Sequence, residues 1–350
     1  MGKKEAMILA LQKELQLRKE EYKNNAVETI YFGGGTPSVL TTAEINRIIT
    51  TVYKHYKVIP NPEITLEANP DDLSEEKIKQ LAESKVNRLS IGIQSFFDED
   101  LKLMNRAHSA KEAITSLKIA TRLFSNISID LIYGMPNMSN ERWKQNIEKA
   151  LSFNIPHISS YALTVEPKTA LATFIKKGLI TPVDDEVAQE HFYILSETLE
   201  KAGFDSYEIS NFGKPGFFSK NNTAYWLGKK YIGIGPSAHS YNGLSRGWNI
   251  NNNAKYIKAI EKGILPSEIE KLSKTDRYNE YVMTGLRTIW GVSLEKIKEE
   301  FGTHYYDYLL KQSEKYRDEQ LLFIDDKKLI TSKKGKFLAD GIASDLFILN

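Results

Sequence analysis

The sequence predicts an α/β protein built on a parallel sheet, and three observations carry that expectation. Apolar runs of strand length alternate with amphipathic helical stretches from residue 27 to residue 164. The runs end in polar or glycine-bearing turns, the first being Tyr31-Phe32-Gly33-Gly34-Gly35-Thr36-Pro37. Strand, helix, strand at this spacing requires parallel pairing through right-handed crossovers. An open doubly wound sheet and a full or partial (β/α) barrel both fit, because periodicity does not separate them.

Residues 4–20 read as a helix with Met7, Ile8, Leu11 and Leu15 on one face. Strands are expected at 27–32, 63–68, 88–94, 127–133 and 157–164, with helices at 42–56, 74–84, 110–123 and 140–152 between them. Helices near 169–177 and 185–202 and a strand near 205–210 follow. From about residue 253 the chain reads as helical and charged, with short apolar runs at 321–324 and 329–330. Ser293 is the expected N-cap of a short helix within 291–301. Helix, helix, two short strands and a last helix suggest a winged-helix-like appendage. Such folds often bind DNA, but a net charge of +2 favours a packing role. The expected domains are 1–245 and 246–350.

Composition narrows the function. At 350 residues, 41% hydrophobic and 26% charged, the chain fits a globular protein of about two domains. Its lysine-rich stretches are scattered, which argues against nucleic acid as a partner. No run of about 18 apolar residues exists to span a membrane. The N-terminus lacks an apolar signal core, which makes the cytoplasm the default location. Cysteine is absent, excluding disulfides, thiolate zinc sites, a cysteine nucleophile and a cysteine-held iron–sulfur cluster in the chain as written.

In parallel α/β folds ligands sit at the carboxyl ends of the strands. Those ends carry, in order, Gly33-Gly34-Gly35-Thr36, then Glu67-Ala68-Asn69-Pro70, then Gln94-Ser95-Phe96, then Asp130 with Tyr133-Gly134, then Tyr161-Ala162-Leu163-Thr164. Taken alone, the glycine run reads first as a tight turn, Glu67 as a helix cap, and Asp130 as the partner of a buried cation. Together on one sheet edge, the acids suit a ribose or ammonium group and the glycine backbone suits an amino-acid carboxylate. That combination describes a nucleoside–amino-acid ligand.

These segments resemble the radical S-adenosylmethionine proteins related to oxygen-independent coproporphyrinogen III oxidase, and most closely their heme-chaperone branch. The resemblance rests on Tyr31–Ser38, Glu67-Ala-Asn-Pro70, Ser90–Phe96, Leu103-Met-Asn-Arg-Ala-His108, Ile129–Pro136, Tyr207-Glu-Ile-Ser-Asn-Phe212 and Gly233-Ile-Gly-Pro-Ser-Ala-His239. It is collinear over nearly the whole chain. It implies a partial (β/α)6 TIM-like barrel lacking its first strand, with a helical, winged-helix-like C-terminal domain. It also implies S-adenosylmethionine across the strand ends. Gly34, Gly35 and Thr36 would meet the methionine part. Glu67 and Asp130 would be polar partners of the nucleoside or amino group, and Gln94 and Arg106 would line the same site. Ala162 and His239 would sit at the pocket edge. Implied partners are heme or porphyrin and heme-accepting respiratory proteins, with the chain a monomer or homodimer.

Two departures from the family pattern stand out. Family members carry a C-x-x-x-C-x-x-C loop that ligates a [4Fe–4S] cluster. No such loop is present here, so the cluster is expected only with an upstream cysteine segment, and a longer natural chain is the expectation. The heme-chaperone motif His-Asn-x-x-Tyr-Trp reads Asn221-Asn222-Thr223-Ala224-Tyr225-Trp226. Asparagine is a poor iron ligand, so Asn222, Tyr225 and Trp226 remain as a candidate porphyrin wall. The functions the resemblance implies are a heme chaperone, then an oxygen-independent coproporphyrinogen III oxidase of heme biosynthesis, then a non-catalytic ligand-binding remnant. No catalytic residue is assigned.

Overall fold

A computed structural model describes residues 2–167 and 169–349. The elements run α1 (Lys3–Leu17), β1 (Val27–Phe32), α2 (Thr42–His55), β2 (Val58–Ala68), α3 (Glu75–Ala82), β3 (Arg88–Gln94), α4 (Asp98–Leu103) and α5 (Ala110–Leu123). They continue with β4 (Ile127–Tyr133), α6 (Asn140–Leu151), β5 (His157–Ala162), α7 (Ala170–Lys176), α8 (Asp185–Lys201), β6 (Asp205–Ser206) and β7 (Asn211–Gly213). The remainder is α9 (Lys220–Trp226), β8 (His239–Tyr241), β9 (Ser245–Asn249), α10 (Asn253–Glu261), β10 (Ser267–Lys271), α11 (Lys274–Leu286), β11 (Val292–Ser293), α12 (Leu294–Lys296), α13 (Thr303–Asp318), β12 (Leu322–Asp325), β13 (Lys328–Thr331) and α14 (Ala339–Asp345). Helix starts follow local chemistry. Ser74, Ser139 and Asp184 each accept a backbone N–H of the first turn, and Ser109 with Glu112 closes a capping box.

The seven-stranded sheet has the order β1-β2-β3-β4-β5-β7-β6. Strands β2 to β5 pair in parallel. From β1 to β5 order in space follows order in sequence, so this part of the sheet is wound in one direction without a switch point. This resolves the alternatives left open by periodicity in favour of the barrel type. The strand expected at 205–210 is a correction. Asn211 donates to Glu208 three residues earlier, which closes a bend at Ile209-Ser210. The chain then gives two short strands, with β7 antiparallel to both β5 and β6.

Two compact units are formed. The first comprises Thr29–Thr42 and Glu63–Ser219. All seven residues of β3 are buried, as expected of a parallel strand covered on both faces. Leu89, Ile91, Ile93, Ile129, Leu131, Leu117 and Trp143 are among its buried apolar residues.

The second unit comprises residues up to Glu28, Ala43–Pro62 and the chain from Lys220 onward. It holds a sheet of order β10-β9-β8 and another of order β11-β13-β12. The latter, with α11 to α14, packs Tyr278, Val282, Leu286, Ile297, Phe301 and Leu309 in a winged-helix-like core. Ser293 caps α12 as expected. The reading beyond 253, which placed strands only near 321–330, is corrected by β10, which pairs with β9 over all five residues. Every residue of β10 is exposed, so no burial alternation marked it as a strand. Glu14 is fully buried in this unit. It accepts from Gly235 N at 2.8 Å, Asn249 Nδ2 at 2.7 Å and the Tyr256 hydroxyl, with Arg18 Nη1 at 3.4 Å.

Candidate functional site

Side chains alternate between the two faces of a strand, and here one face of four parallel strands is polar. On β3 that face carries Arg88, Ser90, Gly92 and Gln94, while Leu89, Ile91 and Ile93 point the other way. Register joins Glu67 to Ser90, Ser90 to Ser128, and Ser128 to His157 in one row across β2 to β5. Asp130 pairs with Ser159 in the next row.

At the carboxyl end of this face lies a cleft of about 340 Å³, lined by Thr36, Glu67, Asn69, Gln94 and Asp130 and floored by Gly92. The loop after β1 enters it with φ of +69° at Gly34 and +134° at Gly35, a region that favours glycine. Glu67 anchors the loop, accepting the Tyr31 hydroxyl at 2.7 Å and Gly34 N–H at 3.3 Å. A Cβ at Gly33 would stand 2.6 Å from the Tyr31 ring and 2.7 Å from Glu67 Oε1. Ser38 steadies the far side by donating to Asp72 Oδ2 at 2.6 Å.

Gln94 has φ +67°, and the register between β3 and β4 shifts between Ile91 and Gln94. Such an irregularity re-aims a side chain at a strand end. The Gln94 amide folds over Gly92, where an added Cβ would lie 2.9 Å from Nε2.

Burial pushes the Asp130 carboxyl up to about 7, and the nearby Glu67 charge pushes the same way. Arg88, a Ser159 hydrogen bond and Arg106 act against this rise without cancelling it. Arg88 is 2% exposed and its Nε has no hydrogen-bond partner. Burial and Glu67 also push the Tyr31 phenol up, so it stays a hydrogen-bond donor to Glu67.

Of the residues read from the sequence, Thr36, Glu67, Gln94 and Asp130 share the cleft, with Gly34 and Gly35 on its bordering loop. Arg106 is exposed outside the lining and acts on Asp130 through its charge. His108, two residues on, is buried and bonds the Ile93 carbonyl at 3.1 Å, tying the Arg106 loop to the strand end that carries Gln94. Ala162 ends β5 opposite Tyr133 and is not in the lining. His239, Asn222, Tyr225 and Trp226 belong to the second unit. There Tyr225 packs edge-on against Tyr231 at 4.4 Å, Arg287 lies 4.9 Å over Trp226, and His239 faces Trp248 at 6.2 Å.

Sequence reasoning gave no site role to Tyr31, Ser90 and Tyr161, which it met only within longer segments, and did not single out Arg88 or Ser159. The signal was present in the alternation Arg-Leu-Ser-Ile-Gly-Ile-Gln, in which every second residue is small or polar. Tyr161 is 44% exposed at the end of β5, with Asp130 and Glu67 acting on its phenol.

Parallel strands β2 to β5 with a glycine loop and two acids at their carboxyl edge are the arrangement expected of a radical S-adenosylmethionine protein, and comparison with known proteins shows that class. The model of the Radical SAM superfamily matches residues 7–161, and that of the HemN C-terminal domain matches residues 272–338. The heme chaperone HemW of Lactococcus lactis is 36% identical over 92% of this chain and 88% of its own length. That of Bacillus subtilis is 34% identical over 90% and 84%. The mitochondrial radical S-adenosyl methionine domain-containing protein 1 of Mus musculus is 32% identical over 90% and 74%. The chain belongs to the HemW family of radical SAM proteins. Its fold is that of Escherichia coli coproporphyrinogen III oxidase, with a TM-score of 0.82 at 22% identity over 99% of this chain and 84% of that one.

The superfamily implies two bound groups. S-adenosylmethionine fits these residues, because Gly34 and Gly35 border open space and Glu67, Asn69, Gln94 and Asp130 line the cleft beside them. A [4Fe–4S] cluster does not fit them, because its thiolate donors are absent from the sequence. Nor do the described residues hold a group of three or more metal-ligating side chains.

Proposed function

We propose that this chain is a heme chaperone that binds S-adenosylmethionine at the strand ends of its barrel and heme through its second unit. The observation that carries the reading is identity above 30% with proteins named heme chaperones, extending over nine-tenths of the chain. The cleft supports it. Gly34, Gly35 and Thr36 would hold the methionine part, Glu67 and Asp130 the ribose hydroxyls or ammonium, and Gln94 the nucleoside. Arg106 would grip the carboxylate with two hydrogen bonds. When bound, the ligand supplies a sulfonium cation beside these acids. Asn222, Tyr225 and Trp226 would wall the porphyrin, and heme-accepting respiratory proteins would be the recipients. We place the domain boundary at 245/246, with the matched C-terminal region wholly beyond it.

Calorimetry and absorbance test this reading. Asp130→Ala and Glu67→Ala should each weaken S-adenosylmethionine binding tenfold or more while circular dichroism stays unchanged. Unchanged affinity in both overturns the nucleoside site. Hemin should give a saturable Soret shift that Tyr225→Ala and Trp226→Ala weaken. A chain that leaves the hemin spectrum untouched is no heme chaperone.

A further inference from the structure

Behind Asp130 lies a buried polar wall with no part in the assignments above. Ser159 is its centre. The Ser159 hydroxyl donates to Asn211 Oδ1 at 2.6 Å and lies 3.3 Å from Ser128 Oγ, and the residue sits beside Asp130 in the β4–β5 register. Asn211 is held in turn by donating to Glu208. Ser128 bonds His157 Nδ1 at 2.6 Å, and His157 Nε2 bonds the Tyr207 hydroxyl at 2.7 Å. Ser128, Ser159, Asn211 and His157 are each less than 5% exposed, so water does not compete for these bonds.

A serine hydroxyl has one proton to donate. Asn211 Oδ1 and an ionised Asp130 both ask for it. If the proton goes to Asp130, the carboxylate is stabilised and Asn211 loses a donor. If it goes to Asn211, the oxygen of Ser159 is free to accept from a protonated Asp130. The two arrangements differ by one hydroxyl rotation.

We propose that Ser159 is the positioning residue of this site: its proton is shared between Asp130 and Asn211, and its allocation sets whether Asp130 meets a ligand as carboxylate or as carboxylic acid. A cationic ligand such as a sulfonium nucleoside selects the carboxylate and draws the proton to Asp130. This deepens the S-adenosylmethionine reading and rests on it. The other charged and titratable groups around Asp130 are Glu67, Tyr31, Arg88, Arg106, Tyr161 and, beyond Ser159, Glu208. None of these is altered in the test.

S-adenosylmethionine affinity is measured between pH 5.5 and 9 in the wild-type protein, Ser159→Ala and Ser159→Thr. Wild-type affinity should rise through an inflection near 7. One charge-assisted hydrogen bond corresponds to about one pH unit. Ser159→Ala should therefore move the inflection up by about that much, bind about fivefold more weakly at pH 7, and match wild type at pH 9. Ser159→Thr, which keeps the hydroxyl, should restore the wild-type curve. An unmoved inflection, or a loss equal at every pH, overturns the proposal. In a second arm, the Asp130 carboxyl is titrated by carbon-13 NMR without ligand, in wild type, Ser159→Ala and Asn211→Ala. The two substitutions should move it in opposite directions, up for Ser159→Ala and down for Asn211→Ala. Movement in one direction for both overturns the shared proton. Because this arm needs no ligand, the wall can stand or fall independently of nucleoside binding.

Discussion

Gly33→Ala isolates a steric role for one atom in the cleft. Gly33 does not have a positive φ, so alanine is conformationally allowed there and only its Cβ matters. That Cβ would lie 2.6 Å from a Tyr31 ring carbon, 2.7 Å from Glu67 Oε1 and 2.8 Å from Glu67 Cδ. These separations fall 0.6–0.8 Å short of an ordinary 3.4 Å contact. The crowded groups cannot simply part, because Tyr31 and Glu67 are bonded to each other at 2.7 Å and Glu67 also holds Gly34 N–H. Overpacking costs about 1–3 kcal/mol. A lost hydrogen bond to a charged group costs about 1.5–3 kcal/mol. The chain relieves the clash by one route or the other, so a loss of about 2 kcal/mol is expected. Urea unfolding of Gly33→Ala, Glu67→Ala and the double variant measures it. Glu67→Ala removes two of the three crowded atoms, so the double variant should be about 1 kcal/mol more stable than the sum of the singles predicts. Additivity within about 0.5 kcal/mol would refute the argument, since it is the signature of sites that do not touch.

Two further outcomes follow from the acids Asp130 and Glu14. Asp130, raised to about 7 from 3.8, keeps its proton in the folded protein where the unfolded chain has lost it. It therefore costs stability as pH rises from about 4 to 7 and not below that window, by at most about 4 kcal/mol. Asp130→Asn should remove this slope from the pH dependence of denaturation, and an unchanged slope would contradict the raised carboxyl. In the second unit, Glu14→Leu strands Arg18, Gly235 N–H, Asn249 and Tyr256 without their shared acceptor. Breaking such a buried pair costs about 3–5 kcal/mol; a loss below 1 kcal/mol by chemical denaturation would show that water replaces the carboxylate.

Strand ends were legible because their chemistry is local. Glycines at 33–35, an acid at 67 and an amide at 94 interrupt apolar runs, and the parallel arrangement brings consecutive ends to one edge. Thr36, Glu67, Gln94 and Asp130 accordingly line a single cleft. Ser159 and Asn211 were not legible, because their role depends on register. Asp130 meets Ser159 only through the pairing of β4 with β5, and Ser159 meets Asn211 only because β7 runs back antiparallel at 211–213. The bend that creates β7 is closed by a side-chain bond between Glu208 and Asn211, which a propensity reading takes for one continuous strand. The sheet of β8, β9 and β10 escaped for the opposite reason. Its edge strand is exposed throughout and gives no burial alternation to read.

This asymmetry has a physical origin in the two faces of the barrel strands. The face packed on helices needs only apolar volume, so Leu89, Ile91 and Ile93 declare themselves by type alone. The opposite face is buried too, yet it is polar, and a buried polar group must find a partner. For Ser128, His157, Ser159 and Asn211 those partners lie 29 to 52 residues away along the chain. Each hydroxyl there is committed by its neighbours before any ligand arrives, and the wall can answer a charge at Asp130 only by redistributing protons it already holds. The acid at the mouth of this wall is raised to about 7 first by burial and then by Glu67, which shares its cleft, while Arg88 and Ser159 act the other way. Sequence types mark where a ligand touches. On the proposal above, the state in which Asp130 would meet that ligand is decided one strand deeper, by bonds that only the fold makes.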